Sequence, residues 1–306
     1  MKQTSRRDFL QTAALLAGAG LIGSSFETVK KKPLNLSFST LGCPDWPFKK
    51  IVEFAQKNQY KGLEMRGILR QVDLTQCAEF STAANRAATM QLMKNNKLSF
   101  VNLGSSAAMH FAGDAERKKN LDEGRKFIDL AHEINCPYVR VFPNDFPKDM
   151  EKKATMDLIA SGLQELGNHA KDSGVMVLME THGDLVYTAD IEAVMQATNN
   201  ENVGLVWDIS NMWTITKEQP AMMYEKLKKY IKHTHIKDAK LNDGKLQYVF
   251  LGRGDVPIIN AINILKQDNF EGFYSFEWEK MWHPEIDEPA PAITNYAGVM
   301  RAIFSS

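Results

Sequence analysis

Cysteine is scarce in this chain, and the three that occur, Cys43, Cys77 and Cys136, stand far apart. No two have the short spacing of a thiolate zinc site or a disulfide framework, so they read as small buried apolar residues. An excess of either charge is missing too, since 37 lysines and arginines balance 37 aspartates and glutamates. Nucleic-acid binding draws on a basic surface that neutralises phosphates, so no such partner is expected. The chain also lacks a convincing membrane span, because its Ala/Gly-rich apolar stretch at residues 11–23 is too short and too rich in glycine. With 44% hydrophobic and 24% charged residues, the composition is that of an ordinary globular protein.

What the chain does have begins at its N-terminus. Ser5-Arg6-Arg7-Asp8-Phe9-Leu10 stands just ahead of that weakly hydrophobic stretch. Paired arginines in this setting resemble a bacterial twin-arginine export signal, which implies a periplasmic protein that meets a membrane only in transit. Residues 1–33 are therefore expected to be an export signal and a basic spacer, with residues 34–306 forming one domain.

From residue 34 onward, strand and helix patterns alternate. Short apolar or β-branched runs bounded by Gly, Asn, Pro or Asp fall at residues 34–40, 62–65, 98–103, 138–142, 175–180, 203–208, 232–236 and 272–277. Helical patterns lie between them, for example at 114–134, 151–173 and 256–267, the last with Asp255 placed as its N-cap. Eight strands alternating with eight helices predict an α/β fold, a single (β/α)₈ TIM barrel. An open doubly wound sheet would not gather the ends of strands five to eight around one centre.

Those strand ends carry the chemistry. Glu180, Asp208, His235 and Glu277 close four successive runs, and in a parallel barrel the strand C-termini meet at one rim. Three carboxylates and an imidazole make a hard donor set suited to one divalent metal, whether Mn²⁺, Mg²⁺, Co²⁺ or Zn²⁺. A metal there would polarise a carbonyl and stabilise an enediolate. Glu180 and Glu277, approaching a carbon from two sides, would be the catalytic pair, one removing a proton and the other returning it. Period two places residues 233, 235 and 237 on one face, with His233 a layer deeper as a hydrogen-bonded barrel histidine. The same parity pairs Glu64 with Arg66 and Glu180 with His182.

The ordered motifs resemble the xylose isomerase-like TIM-barrel superfamily. They are Gly62-Leu63-Glu64-Met65-Arg66-Gly67, Met179-Glu180-Thr181-His182, Trp207-Asp208-Ile209-Ser210-Asn211, His233-Thr234-His235-Ile236-Lys237-Asp238, Gly252-Arg253-Gly254-Asp255 and Phe276-Glu277. The resemblance implies a sugar isomerase or epimerase in which Glu180, Asp208, His235 and Glu277 hold the metal. It also implies that the two glutamates transfer the proton. Two departures stand out. Related epimerases place a His where Asn211 stands, and an Arg where Leu241 stands. The additional histidines of the endonuclease IV branch are missing as well.

Trp46, Trp213 and Trp282 are expected on the catalytic rim, where indole faces suit sugar C–H groups. Trp207 and Trp278 have the opposite parity and are expected in the core. The candidate substrate contacts are Trp46, Glu64, His182, Asn211, Arg253 and Trp282, with residues 279–290 as a specificity loop. Three functions stay open: a metal-dependent isomerase or epimerase, a lyase or hydratase acting on keto-sugars or 3-keto-glycosides, and a carbohydrate-binding barrel without catalysis. The partner in each is a small carbohydrate, and an oligomer is compatible with all three.

Overall fold

A parallel strand covered on both faces can be short and still hold, provided its neighbours close around it. In the computed structural model, which describes residues 34–242 and 244–305, eight such strands close into a barrel. The expected export signal lies outside the described residues. The ring consists of β1 (Leu36–Ser39), β2 (Gly62–Met65), β3 (Ser99–Ala108), β4 (Tyr138–Phe142), β5 (Met176–Glu180), β6 (Val203–Asp208), β7 (Ile231–Ile236) and β10 (Tyr274–Phe276). Closure joins the first and last strands, with Leu36 opposite Tyr274 and Phe38 opposite Phe276. A separate antiparallel hairpin, β8 (Asp238–Asn242) and β9 (Lys245–Val249), rises from the end of β7.

Nine α-helices lie among the described residues: α1 (Phe48–Lys57), α2 (Ala83–Asn95), α3 (Asp114–Glu133), α4 (Lys152–His169), α5 (Thr188–Thr198), α6 (Ile209–Thr216), α7 (Pro220–Leu227), α8 (Ile258–Gln267) and α9 (Pro289–Ser305). The ninth arises because the crossover from β6 to β7 is broken in two. Lys217 ends α6 in the left-handed region at φ 58°, and Pro220 opens α7 at its first turn. No described helix is long and apolar enough to cross a membrane.

Alternation decides which side chains reach the site. Phe38 and Phe276 face outward, Phe38 meeting Tyr60 edge-on at 4.9 Å and Phe276 stacking on Tyr296 of α9 at 4.6 Å. Trp207 and Trp278 are buried among the helices, as their parity requires, with Trp207 against Tyr224 and Trp278 against Phe276. Many of the inward residues are polar. Ser37, Glu64, Asn102, His233, His235 and Ser275 are all fully buried. This barrel therefore carries a polar layer where bulky branched residues commonly fill the interior.

Two expectations need correction. Asp255 does not cap α8; Pro257 stands at the N-cap, and the Asp255 carboxylate accepts the Leu241 N–H at 2.8 Å. The hairpin was not anticipated, because its two short strands are only partly buried and are joined by main-chain pairing. Asp238 anchors this segment. Its buried carboxylate accepts the N–H groups of Ala239, Gly252 and Gly254, each at 2.9 Å.

Replacing Phe276 with alanine removes the stack that holds the last strand to α9. Urea denaturation should show a loss of about 3–5 kcal/mol. A loss below about 1 kcal/mol would mean that α9 does not support the barrel seam in this way.

Candidate metal centre

The four strand-end residues meet. Glu180 and Asp208 are the last residues of β5 and β6, His235 is the penultimate residue of β7, and Glu277 falls just past β10. One donor atom from each lies within 4.8 Å of the others, and all four residues are buried. His235 Nδ1 stands 3.2 Å from Glu277 Oε1, 3.4 Å from Glu180 Oε1 and 3.7 Å from Asp208 Oδ2. Asp208 also serves the helix that follows it. Its Oδ1 accepts the Asn211 N–H at 2.8 Å and caps α6, which leaves Oδ2 to face the cluster.

Glu64 orients the histidine from below. Its Oε1 lies 2.9 Å from His235 Nε2, while its Oε2 lies 2.7 Å from His233 Nε2 and accepts Ser275 Oγ–H at 3.1 Å. With the Nε2 proton directed at Glu64, Nδ1 is the ring atom that faces the three carboxylates, and once deprotonated its lone pair points at them. Nδ1 has no hydrogen-bond partner among the described residues. A buried lone pair facing three anionic groups fits a cation, and a carboxylate behind the ring is the usual way to fix a metal-ligating imidazole.

The sequence reading missed three residues. Lys237 is buried with its Nζ 2.5 Å from Glu277 Oε2, 2.6 Å from Glu279 Oε1 and 2.8 Å from Asp208 Oδ2. Its parity with His233 and His235 was the available signal. Glu279 is the second, and burial raises its pKa. Arg140 on β4 is the third; its Nε lies 3.1 Å from Glu180 Oε2, and its guanidinium packs 3.7 Å from the Phe142 ring centroid.

The expected substrate contacts separate into groups. Asn211 reaches the cluster, its Nδ2 donating to Glu180 Oε1 at 3.3 Å. His182 is half-buried and turned to Asn144 Oδ1 at 3.1 Å and to the Phe142 ring. Trp282 is exposed, and Arg253 is exposed with its guanidinium over Phe250. Two assignments are corrected. Glu64 is fully buried with both oxygens engaged, which places it behind His235 as its support and leaves no carboxylate oxygen free for a ligand. Trp46 is a packing residue, edge-on to Phe54 at 4.9 Å with Lys50 Nζ over its ring.

The family model for the xylose isomerase-like TIM barrel matches residues 52–302. The chain belongs to that family. Among similar proteins, an inosose dehydratase of Clostridium botulinum (strain Alaska E43 / Type E3) is 29% identical over 150 residues, 44% of this chain and 49% of the relative. An inosose dehydratase of Bacillus cereus (strain AH820) is 23% identical over 221 residues, 63% of this chain and 74% of the relative. The chain thus spans about half the length of the Clostridium relative. Among solved structures, the IOLI protein with a binding zinc atom aligns at TM-score 0.74 and 18% identity, covering 89% of this chain and 98% of that one. The probable 3-DHS dehydratase AsbF of Bacillus anthracis aligns at TM-score 0.73 and 15% identity, covering 88% and 99%.

In this xylose isomerase-like barrel, the electrostatics of the site follow from crowding. Burial disfavours the His235 imidazolium, yet Glu277, Glu64 and Glu180 outweigh it and hold its pKa well above the usual range. Burial likewise opposes ionisation of Glu277, but His235 and Lys237 keep it well below the ordinary carboxylate value. Binding a cation at Nδ1 must expel the His235 proton, so affinity for Mn²⁺ should weaken as pH falls, by up to about tenfold per unit. Calorimetry across pH checks this, and a flat profile would remove His235 from the donor set. Glu64→Gln should weaken Mn²⁺ affinity about 10- to 100-fold without unfolding the protein. Unchanged affinity in that variant would deny Glu64 its orienting role.

Proposed function

We propose that this chain is a divalent-metal-dependent carbohydrate enzyme that withdraws the proton beside a carbonyl and then expels a β-hydroxyl, making it a dehydratase. The observation that carries this reading is the immobilisation of Glu277. Its Oε2 is tied to Lys237 Nζ at 2.5 Å and its Oε1 lies 3.2 Å from His235 Nδ1. Epimerisation needs two carboxylates that exchange protons with opposite faces of one carbon. Dehydration needs only one that takes a proton and gives it up again.

Glu180, Asp208, His235 and Glu277 would hold the metal, which when bound supplies Lewis acidity toward a carbonyl oxygen. Glu180 is the proton carrier. Burial alone would raise its pKa, but His235 and Arg140 more than offset burial and the repulsion from Glu277, so it rests as a carboxylate. It receives the α-proton, the C–O bond of the β-hydroxyl breaks, and the same proton leaves with the hydroxyl as water. Asn211, donating to Glu180 Oε1, orients that carboxylate. The inosose dehydratases among the similar proteins support this direction.

Isomerisation or epimerisation is the second reading, favoured by the presence of both Glu180 and Glu277 in one cluster. Incubation with inososes and keto-sugars in D₂O with Mn²⁺, followed by NMR, separates the readings. Loss of water that EDTA blocks, reduced about 10²- to 10⁴-fold by Glu180→Gln, is the expected result. Deuterium at the α-carbon with every hydroxyl retained would replace dehydration with epimerisation. No metal-dependent change on any substrate would leave a binding barrel.

We also propose that Arg6 and Arg7 direct export to the periplasm by the twin-arginine route. Changing both to lysine should leave the protein in the cytoplasm, as cell fractionation would show. Unaltered export of that variant would overturn the assignment.

A further inference from the structure

The cluster at the rim does not engage every buried charge around it. Arg66 follows β2, and its backbone N–H donates to Thr40 Oγ1 at 2.9 Å. The residue is only 6% exposed. Its guanidinium donates to Ser106 Oγ at 3.0 Å and makes a long contact of 3.4 Å to Gly104 O. Among the described residues, no carboxylate lies within ion-pair distance of it.

A second guanidinium runs beside the first. A Cβ on Gly104 would meet Arg66 Cδ at 2.9 Å and Arg140 Nη2 at 3.0 Å, so both arginines cross the bare backbone of β3. Arg140 is committed, its Nε paired with Glu180 Oε2 at 3.1 Å and its Nη1 donating to Ser105 O at 2.8 Å. Arg66 has only neutral acceptors. Burial and the like charge of Arg140 push its pKa down to about 10, with Glu123, Glu180 and Glu277 opposing the shift, so it keeps its proton at neutrality.

Placing two like charges side by side out of water is costly unless an anion compensates them. Arginine presents five N–H donors in a planar fork matched to carboxylate and phosphate oxygens, and here most of that fork is uncommitted. Arg66 also stands at the C-terminal end of a barrel strand, the side on which Glu180 and Asp208 end theirs.

We propose that Arg66 binds an anionic substituent of the carbohydrate substrate, a carboxylate or a phosphate, and so selects sugar acids or sugar phosphates over neutral sugars. The assignment of a carbohydrate ligand rests on the functional reading above, whereas the preference for an anion rests on Arg66 alone. Calorimetric titration of the Mn²⁺-loaded full chain with D-gluconate, D-glucitol 6-phosphate and neutral D-glucitol tests it without any need for turnover. One of the two anions should bind about 10- to 100-fold more tightly than D-glucitol, and which one does so identifies the group. Arg66→Met should bring that preference to within about twofold, and Arg66→Lys should restore part of it. Equal affinities in the wild type would overturn the proposal without recourse to a variant. A preference that survives in a folded Arg66→Met protein would overturn it as well, by assigning the anion to the metal. Because binding is read directly, a failure to see dehydration in D₂O would count against the dehydratase reading and not against Arg66.

Discussion

Like charges buried together repel strongly, because little water is present to screen them. Glu64, Glu180, Asp208, Glu277 and Glu279 are all buried around the upper end of one barrel. Each is answered by a positive or protic neighbour: Glu64 by two imidazoles, Glu180 by Arg140, and the other three by the single ammonium of Lys237. Breaking one partner of such a buried network leaves an uncompensated charge, which costs more than the intact pair contributes. The positions of these side chains are therefore tightly coupled, and the donor atoms that remain face a common point.

That coupling reaches into the scaffold. Asp208 is at once the cap of α6 and a member of the cluster, so the helix and the site share one carboxylate. Glu277 follows Phe276, whose ring is clamped between Tyr296 and Trp278, and the backbone that presents the carboxylate is fixed from the opposite side. Packing outside the barrel and electrostatics inside it thus constrain the same short segments.

The barrel and its four converging strand ends were legible because both rest on periodic features. Alternation of strand and helix sets the architecture, and the last residue of a parallel strand must face one rim. Depth was harder to read. Parity put Glu64 on the inner face, but how far below the rim it lies depends on the stagger between strands, and the shift of register between Leu63 and Glu64 is not written in the residues. Trp46 was misplaced for a related reason, since a loop indole packs wherever a partner such as Phe54 is offered. Lys237 was passed over because lysine is ordinarily a surface residue, and only three nearby carboxylates make its burial possible. The hairpin escaped notice because its stability comes from main-chain pairing and the Asp238 anchor, neither of which has an apolar signature.

The seam of the ring has a consequence for biosynthesis. Strand β1 is completed only by β10, and Asn35 donates to the Glu271 carbonyl across a sequence separation of 236. The C-terminal helix laces the join, with Tyr296 Oη donating to Tyr274 O at 3.0 Å and Tyr60 Oη donating to Ile293 O at 2.7 Å. Because translation is vectorial, β1 is made long before β10, and one of its edges lacks its partner until residues 274–276 have followed. A closed, edge-free ring therefore cannot form on any nascent chain that still lacks β10.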